Sequence, residues 1–364
     1  MQMIDLCNCS WDEFAQRVKD RSLYCFGSGN LAEWISFEIS GVHIAEKIIA
    51  FVDNNMHKVG RYVDIDGLEI PIISFDDFVI QRSKGTIMLV CSMYYSEMID
   101  QMDKEPLLNN LECYIEPFLI EKTQLLQKEE LAGEEESIPR IIHYCWFGKK
   151  DLPDEYKYYM ESWKAFCPDY RIIRWDENNY DYKKILYTRQ AYEAGKYAFV
   201  SDYARLDVVY NYGGIYLDTD VEIVKNIDIF LKNKMFCGFE QGNLVNTGLG
   251  FGACKGFEHL KCMRDYYHNI SFIDDNGKFN LTACTEYQTA YLKKLGLKRN
   301  GILQMIDGIR VYPRTVLAPL DFYGIQNHYS EITHTVHHYA ATWFKESREM
   351  LLQKNNSIRK RMRD

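Results

Sequence analysis

Short apolar runs closed by glycine or polar turns alternate with helically spaced segments through the first third of the chain. "SLYCFGSGN" predicts a strand entering a glycine turn, "LAEWISFEIS" has helical spacing, and "KIIAFVDNN" predicts a second strand ending at Asp53. A further strand-like run, "TIMLVCS", covers 86–92. Strands alternating with helical stretches predict a parallel α/β unit. In the second half, "IPRIIHYCWFGKK" predicts a strand over 141–147, and "YRIIRWDENN" predicts another. In "FVSDYARLDVVYNYGG", Ser201 is a candidate N-cap. Asp202, Arg205 and Val209 then share one helical face, with Leu206 and Tyr210 on a neighbouring one. "IYLDTDVEIV" follows as a strand. Between the halves lies the acidic stretch "KTQLLQKEELAGEEESIP", expected as an exposed helix or hinge. The expected division is residues 1–121, a linker 122–138, and a second domain 139–364.

Composition narrows the class. A chain of 364 residues exceeds what one core usually serves, and 47% apolar content excludes a disordered one. Its 27 tyrosines suit partly wet clefts, where a flat ring with a polar tip stacks on a sugar or base; codon bias explains them equally well. The net charge of −9 argues against nucleic acid as a partner. Eleven cysteines form no CxxC pair and no regular framework, which fits a reducing compartment. The start "MQMIDLCNCSWDEF" lacks the pattern of a signal peptide, and no run approaches a membrane span. A cytoplasmic protein is therefore expected. The basic end "IRKRMRD" is read as a solvated helix end or as a contact to the anionic inner membrane leaflet.

Two constellations carry candidate chemistry. Gly27, Gly29 and Ala32 match G-x-G-x-x-[G/A] at a strand-to-helix junction, with Asp53 at the distance of a ribose-binding acid. The same turn also serves merely to pack a helix on a strand. The second is sharper. Asp218 and Asp220 lie one residue apart on one face of the expected strand, behind a Gly-Gly and next to the helix carrying Asp202 and Arg205. Like charges so placed persist where a cation sits between them or where the strand end opens to water. Two aspartates supply hard oxygens for Mg2+ or Mn2+, and Arg205 adds a fixed cation for a departing diphosphate. The bland alternative is a surface Asp202–Arg205 pair beside two strand-end carboxylates.

The strings "IPRIIHYCWFG", "AFVSDYARLDVVYNYGGIYLDTDVEIV", "FCGFE" and "HHYAATW" resemble the DXD-containing glycosyltransferases of family 32, over about 138–343. That family includes bacterial capsular-polysaccharide sugar transferases and fungal α-mannosyltransferases. The resemblance implies a GT-A fold with a mixed sheet, a nucleotide-sugar donor, Mn2+ or Mg2+, and retention of anomeric configuration. Residues 20–118 resemble the Rossmann-like N-terminal domains of bacterial sugar-modifying enzymes.

Carried over, Asp218 and Asp220 become the metal and diphosphate site, and Asp202 and Arg205 become donor contacts. Trp146 would stack on the base, Tyr216 would line the same pocket, and Trp343 would close over it. One of His337 and His338 would approach the metal, with His338 favoured. Glu240, Asn246 and Glu286 are candidates for the sugar or acceptor side. "LTACTEYQTAYL" departs from the Thr-Gly-Pro turn common in the family, so acceptor geometry does not transfer. The expected reaction moves a sugar to a surface glycan, such as capsular polysaccharide or O-antigen, or to a lipid-linked glycan. The rivals are a nucleotide-sugar hydrolase, an NAD-dependent sugar oxidoreductase in the first domain, and a non-catalytic lectin.

Overall fold

The computed structural model describes residues 3–29, 38–39, 42–65, 67–92, 94–119, 126–133, 137–321, 327–339 and 348–362. The chain falls into two compact units. One comprises residues 1–122, 323–326 and 343–364; the other comprises 123–322 and 327–342.

The first unit contains β1 (Asp5–Leu6), α1 (Trp11–Val18), β2 (Leu23–Phe26), β3 (Glu38–Ile39), β4 (Val42–His43), β5 (Ile48–Val52), β6 (Tyr62–Ile65), β7 (Leu68–Ile73), α2 (Phe75–Gln81), β8 (Ile87–Val90), α3 (Tyr95–Asp103) and β9 (Glu112–Ile115). Its seven-stranded sheet has the order β1-β9-β8-β2-β5-β7-β6 and is parallel except for the β6–β7 edge pair. β2 and β8 are buried along their whole length, as their unbroken apolar runs require in a sheet covered on both faces. The segment read as a helix over 31–40 lies outside the described residues except for 38–39, which pair as β3 with β4.

The C-terminal helix Arg348–Arg359 also belongs to this unit, whereas the sequence division placed it with the second half. Ile358 is buried in the first unit's core, Arg361 Nη2 lies 2.7 Å from Asp103, and Lys354 Nζ lies 3.2 Å from Glu97. Part of the terminal basic charge is thus neutralised locally.

The second unit contains β10 (Ile141–Cys145), α4 (Asp154–Phe166), β11 (Arg171–Trp175), α5 (Leu186–Glu193), α6 (Tyr197–Tyr212), β12 (Gly214–Tyr216), β13 (Val221–Ile223), β14 (Met235–Phe239), β15 (Val245–Asn246), β16 (Phe251–Ala253), α7 (Glu258–Asp265), α8 (Cys284–Lys294), β17 (Gln304–Ile306), β18 (Ile309–Tyr312), α9 (Arg314–Leu317) and β19 (Thr335–His337). Its main sheet runs β11-β10-β12-β16-β14-β18-β17, with β15 against β14, and mixes parallel and antiparallel pairs. β13 and β19 form a separate two-stranded antiparallel ribbon. Among the described residues, no helix is long and apolar enough to cross a membrane.

Two details show how tightly this unit is tied. His143, fully buried on β10, accepts a hydrogen bond at Nδ1 from Trp175 Nε1 (3.0 Å), which leaves Nε2–H to donate to the Gly213 carbonyl (2.8 Å). Burial drives its pKa down to about 4, so the ring is neutral. The acidic stretch expected as an exposed hinge is partly built in. Leu126, Leu131 and Ile138 are buried in the second unit's core, while Glu129 and Glu130 face water. Tyr312 donates its hydroxyl to the Leu131 carbonyl, and a Cβ on Gly133 would stand 1.6 Å from the Lys232 carbonyl.

Candidate active site

The site is built on α6. Its interior is apolar on nearly every side, yet Asp202 and Arg205 are buried in it, at 9% and 5% exposure. The surface ion pair considered as an alternative is therefore excluded. Ser201, expected as the N-cap, lies inside the helix and donates back to the Tyr197 carbonyl at 3.3 Å. The helix starts a turn earlier because Phe199 and Val200 pack into the core.

Each face of the Arg205 guanidinium is engaged. Nη2 lies 3.0 Å from Asp202 Oδ1 and 3.4 Å from Asp218 Oδ1. Nε donates to the Ser201 carbonyl at 3.2 Å, and Nη1 donates to Cys284 Sγ at 3.8 Å. The cation sits 5.1 Å from the Tyr216 ring centre, and the Tyr216 hydroxyl donates to Asp218 Oδ1 at 2.8 Å. Burial opposes the charge on Arg205, but Asp218, Tyr216 and Asp202 outweigh it and raise its pKa. Burial raises the carboxyl pKa of Asp202 and of Asp218, with Arg205 pulling both back.

The expected single strand over 215–224 is broken. β12 ends at Tyr216, and the Val221 amide donates to the Asp218 carbonyl at 3.1 Å, closing a turn before β13. Asp218 and Asp220 therefore share a turn rather than the face of a strand. The turn is fastened from both sides: the Asp218 amide donates to the Gly248 carbonyl (3.1 Å), and the His338 amide donates to the Asp220 carbonyl (3.0 Å).

β19 brings the histidines. Its register sets Val221 opposite His337, whose Nε2 lies 3.2 Å from Asp220 Oδ1. Asp218, Asp220 and His337 each offer a ligating atom within 4.8 Å of the others. His337 Nδ1 is buried, with no hydrogen-bond partner among the described residues. His338, the favoured candidate, faces the other way, with Nε2 2.9 Å from Glu222 and its ring stacked on Tyr159 at 4.1 Å. Adjacent residues in an extended segment point to opposite faces, so only one of the two can reach the aspartates.

The structure draws Glu240 and Asn246 to the same place. Asn246 Nδ2 donates to Glu240 Oε2 (2.8 Å), while its Oδ1 accepts the Gly248 amide (2.5 Å). Burial raises the carboxyl pKa of Glu240. Gly248, which sequence reasoning missed, has no room for a side chain: a Cβ would stand 2.3 Å from Asp218 Oδ2 and 3.1 Å from Arg205 Nη1. Glu286 sits on the first turn of α8, and it is that helix's first residue, Cys284, that reaches Arg205.

Trp146 is held by an Nε1 bond to the Lys150 carbonyl (2.7 Å) and stands edge-on to Tyr156 at 5.8 Å. Tyr156 in turn feels the Asp220 charge. Trp343 lies outside the described residues.

In the first unit, the glycine turn serves itself. Asp53 Oδ2 accepts the Ser28 amide (3.1 Å) and hydroxyl (2.5 Å) and pairs with Lys58 at 3.2 Å, while Oδ1 accepts the Asn55 amide at 2.8 Å. The amide that a phosphate would seek is thus given to the acid expected on the ribose. A Cβ on Gly27 would stand 2.7 Å from the Cys91 carbonyl, whereas a Cβ on Gly29 meets no atom of the described residues within 4 Å; Ala32 lies outside the described residues.

Residues 153–237 match the family described as a glycosyltransferase sugar-binding region containing a DXD motif. The chain is 26% identical over 188 residues to inositol phosphoceramide mannosyltransferase 1 of Schizosaccharomyces pombe, covering 49% of this chain and 54% of that protein. It is 32% identical over 159 residues to an uncharacterised glycosyltransferase of Acanthamoeba polyphaga mimivirus, covering 41% of this chain and 61% of that one. The chain thus spans only a little over half the length of these curated relatives. Among solved structures, the PaToxG glycosyltransferase aligns with a TM-score of 0.35 and 18% identity, covering 43% of this chain and 68% of that chain. Helix α6 and the aspartate turn fall inside the segment that matches the DXD-containing glycosyltransferase sugar-binding region.

Proposed function

We propose that this chain transfers a sugar from a nucleoside-diphosphate donor to a hydroxyl of a surface glycan or a lipid-linked glycan, with retention at the anomeric carbon. The observation that carries the reading is the buried Arg205, joined to Asp218 beside a cluster of Asp218, Asp220 and His337. An isolated structural ion pair needs no second aspartate and no histidine aimed at it.

Two carboxylates and an imidazole suit a divalent cation, and the nitrogen favours Mn2+ over Mg2+, which prefers an all-oxygen shell. Such an ion, when bound, neutralises charge on the leaving diphosphate. The chain's own residues do the rest. Arg205 holds a fixed positive charge toward the phosphates, already oriented by Asp202 and Tyr216, so no reorganisation is needed during transfer. Trp146 and Tyr156 offer a wall for the base. Glu240 and Asn246 present hydrogen-bonding groups to the transferred sugar or its acceptor. We read the second unit as a GT-A fold and the first as a Rossmann-like accessory domain, which the mixed and mostly parallel sheets support.

Two relatives are named as enzymes that place mannose on inositol phosphoceramide or its equivalent, so GDP-mannose and an inositol-phosphate lipid join the first screen. The test measures nucleoside-diphosphate release from a panel of nucleotide sugars with Mn2+, with and without acceptor. Turnover that requires Mn2+, stops with EDTA and rises with acceptor supports the proposal. Release indifferent to every acceptor supports a hydrolase, and activity undiminished by EDTA refutes the metal site.

A further inference from the structure

We propose that Gln288 is a positioning residue for Asp218, its side-chain amide fixing the short segment against which that aspartate is seated. The inference deepens the metal-dependent reading above and rests on it. β15 pairs with β14, but its Val245 amide and the Thr247 amide two residues on go to α8 instead. Thr289 Oγ1 accepts from Val245 at 2.9 Å, and Gln288 Oε1 accepts from Thr247 at 3.2 Å. Gln288 Nε2 also donates to Thr247 Oγ1 at 2.8 Å, so one carboxamide closes on Thr247 at two points. Gln288 is 1% exposed and Thr247 is fully buried. Two helix side chains thus take the place of a neighbouring strand.

Thr247 directly precedes Gly248, which meets Asp218 in two ways. The Gly248 carbonyl accepts the Asp218 amide at 3.1 Å, and its missing side chain leaves the space beside Asp218 Oδ2. The Gly248 amide is held in turn by Asn246 Oδ1 (2.5 Å), whose Nδ2 donates to Glu240 (2.8 Å). Gln288 therefore grips from α8 a backbone that Asn246 and Glu240 grip from the strand side, and a shift of Thr247 passes through Gly248 to Asp218. Fastening helix to strand is already served by the Thr289 bond; the two-point grip falls on the residue beside Gly248. Buried and doubly bonded, the carboxamide has the form of a group that orients a metal ligand without touching the metal.

The test is a calorimetric titration of Mn2+ into the full chain, without nucleotide and with UDP or GDP, alongside thermal unfolding. Gln288→Met keeps the volume and removes both bonds, and is expected to weaken Mn2+ binding about tenfold, as loss of a group that orients a metal ligand does. Thr289→Val removes the neighbouring helix-to-strand bond; it is expected to lower the melting temperature yet leave Mn2+ affinity within about twofold of wild type. Thr247→Val, the milder change should the methionine variant fail to fold, weakens Mn2+ binding by at least about threefold, and Thr247→Ser, which keeps the hydroxyl, restores it. In a Gln288→Met background Thr247→Val costs nothing further, because the hydroxyl acts through that carboxamide. Mn2+ affinity within about twofold of wild type in Gln288→Met or Thr247→Val overturns the inference, and so does an equal loss in Thr289→Val, which marks a general loosening of α8. A wild-type chain that takes up no Mn2+ under any of these conditions refutes the metal reading itself, and this inference with it.

Discussion

Gly248 offers the sharpest test of the site's geometry. No positive φ marks this residue, so alanine there meets no backbone strain, and the entire effect comes from one methyl group. That methyl carbon would stand 2.3 Å from Asp218 Oδ2, 3.0 Å from Asn246 Oδ1 and 3.1 Å from Arg205 Nη1. Ordinary contact is about 3.5 Å, so the Asp218 carboxylate must retreat by roughly 1 Å. Metal sites tolerate about 0.2 Å in ligand distance, and a 1 Å misplacement of a catalytic group costs about a hundredfold in rate, or about 2.7 kcal/mol in the barrier. The assay is kcat/KM for Mn2+-dependent donor turnover in Gly248→Ala, beside Gly29→Ala, where no atom of the described residues lies within 4 Å of the new methyl. A fall of about a hundredfold in the first, with a melting temperature near wild type, and no change in the second is expected. Gly248→Ala activity within about threefold of wild type would refute the claim that Asp218 must occupy this position.

The paired histidines give a second contrast: His337→Ala should raise the Mn2+ half-saturation concentration by more than about tenfold, while His338→Ala leaves it nearly unchanged. Equal effects in titrations of activity against Mn2+ would show that the assignment by strand register is wrong. Arg205→Met strands the buried Asp202 carboxylate and the half-buried one of Asp218, and should lower stability in urea unfolding by about 3–5 kcal/mol; a loss under about 1 kcal/mol would mean Asp202 and Asp218 do not depend on it. His143 predicts a pH dependence. Its folded pKa of about 4 lies below the unfolded value near 6.5, so between these values the unfolded chain binds a proton that the folded one refuses. Its contribution is complete above about pH 6.5 and declines as pH falls toward 4, by about 3 kcal/mol in all. Urea midpoints followed from pH 7 to 5 should drop more steeply for wild type than for His143→Asn, and parallel curves would contradict the buried neutral ring.

Local pattern revealed the strands at 23–26, 48–52, 87–90 and 141–145, and the amphipathic pairing of Asp202 with Arg205, because each depends on neighbours in the chain. Long-range pairing governs what was misread. "IYLDTDVEIV" keeps a strand-like alternation throughout, and only the Asp218 carbonyl's bond to Val221 splits it. His337 and His338 are indistinguishable in sequence; the register of β19 on β13 decides between them. Gly248 and Cys284 meet Arg205 through contacts made from far along the chain, and neither residue type signals it in advance. Asp53 was placed at the right turn, but its consumption by Ser28 and Lys58 depends on side-chain geometry that spacing does not encode.

The aspartate turn joins two separately hydrogen-bonded structures. Asp218 follows a strand of the large sheet, whereas Asp220 leads into the small ribbon that carries His337. The turn bond from the Val221 amide to the Asp218 carbonyl links them through the backbone, and an ion held by all three side chains would add a rivet between sheet and ribbon. Amide exchange should therefore slow in residues 221–223 and 335–337 when Mn2+ is added, with the large sheet indifferent. The ribbon's breathing would then report on whether the donor cleft is loaded.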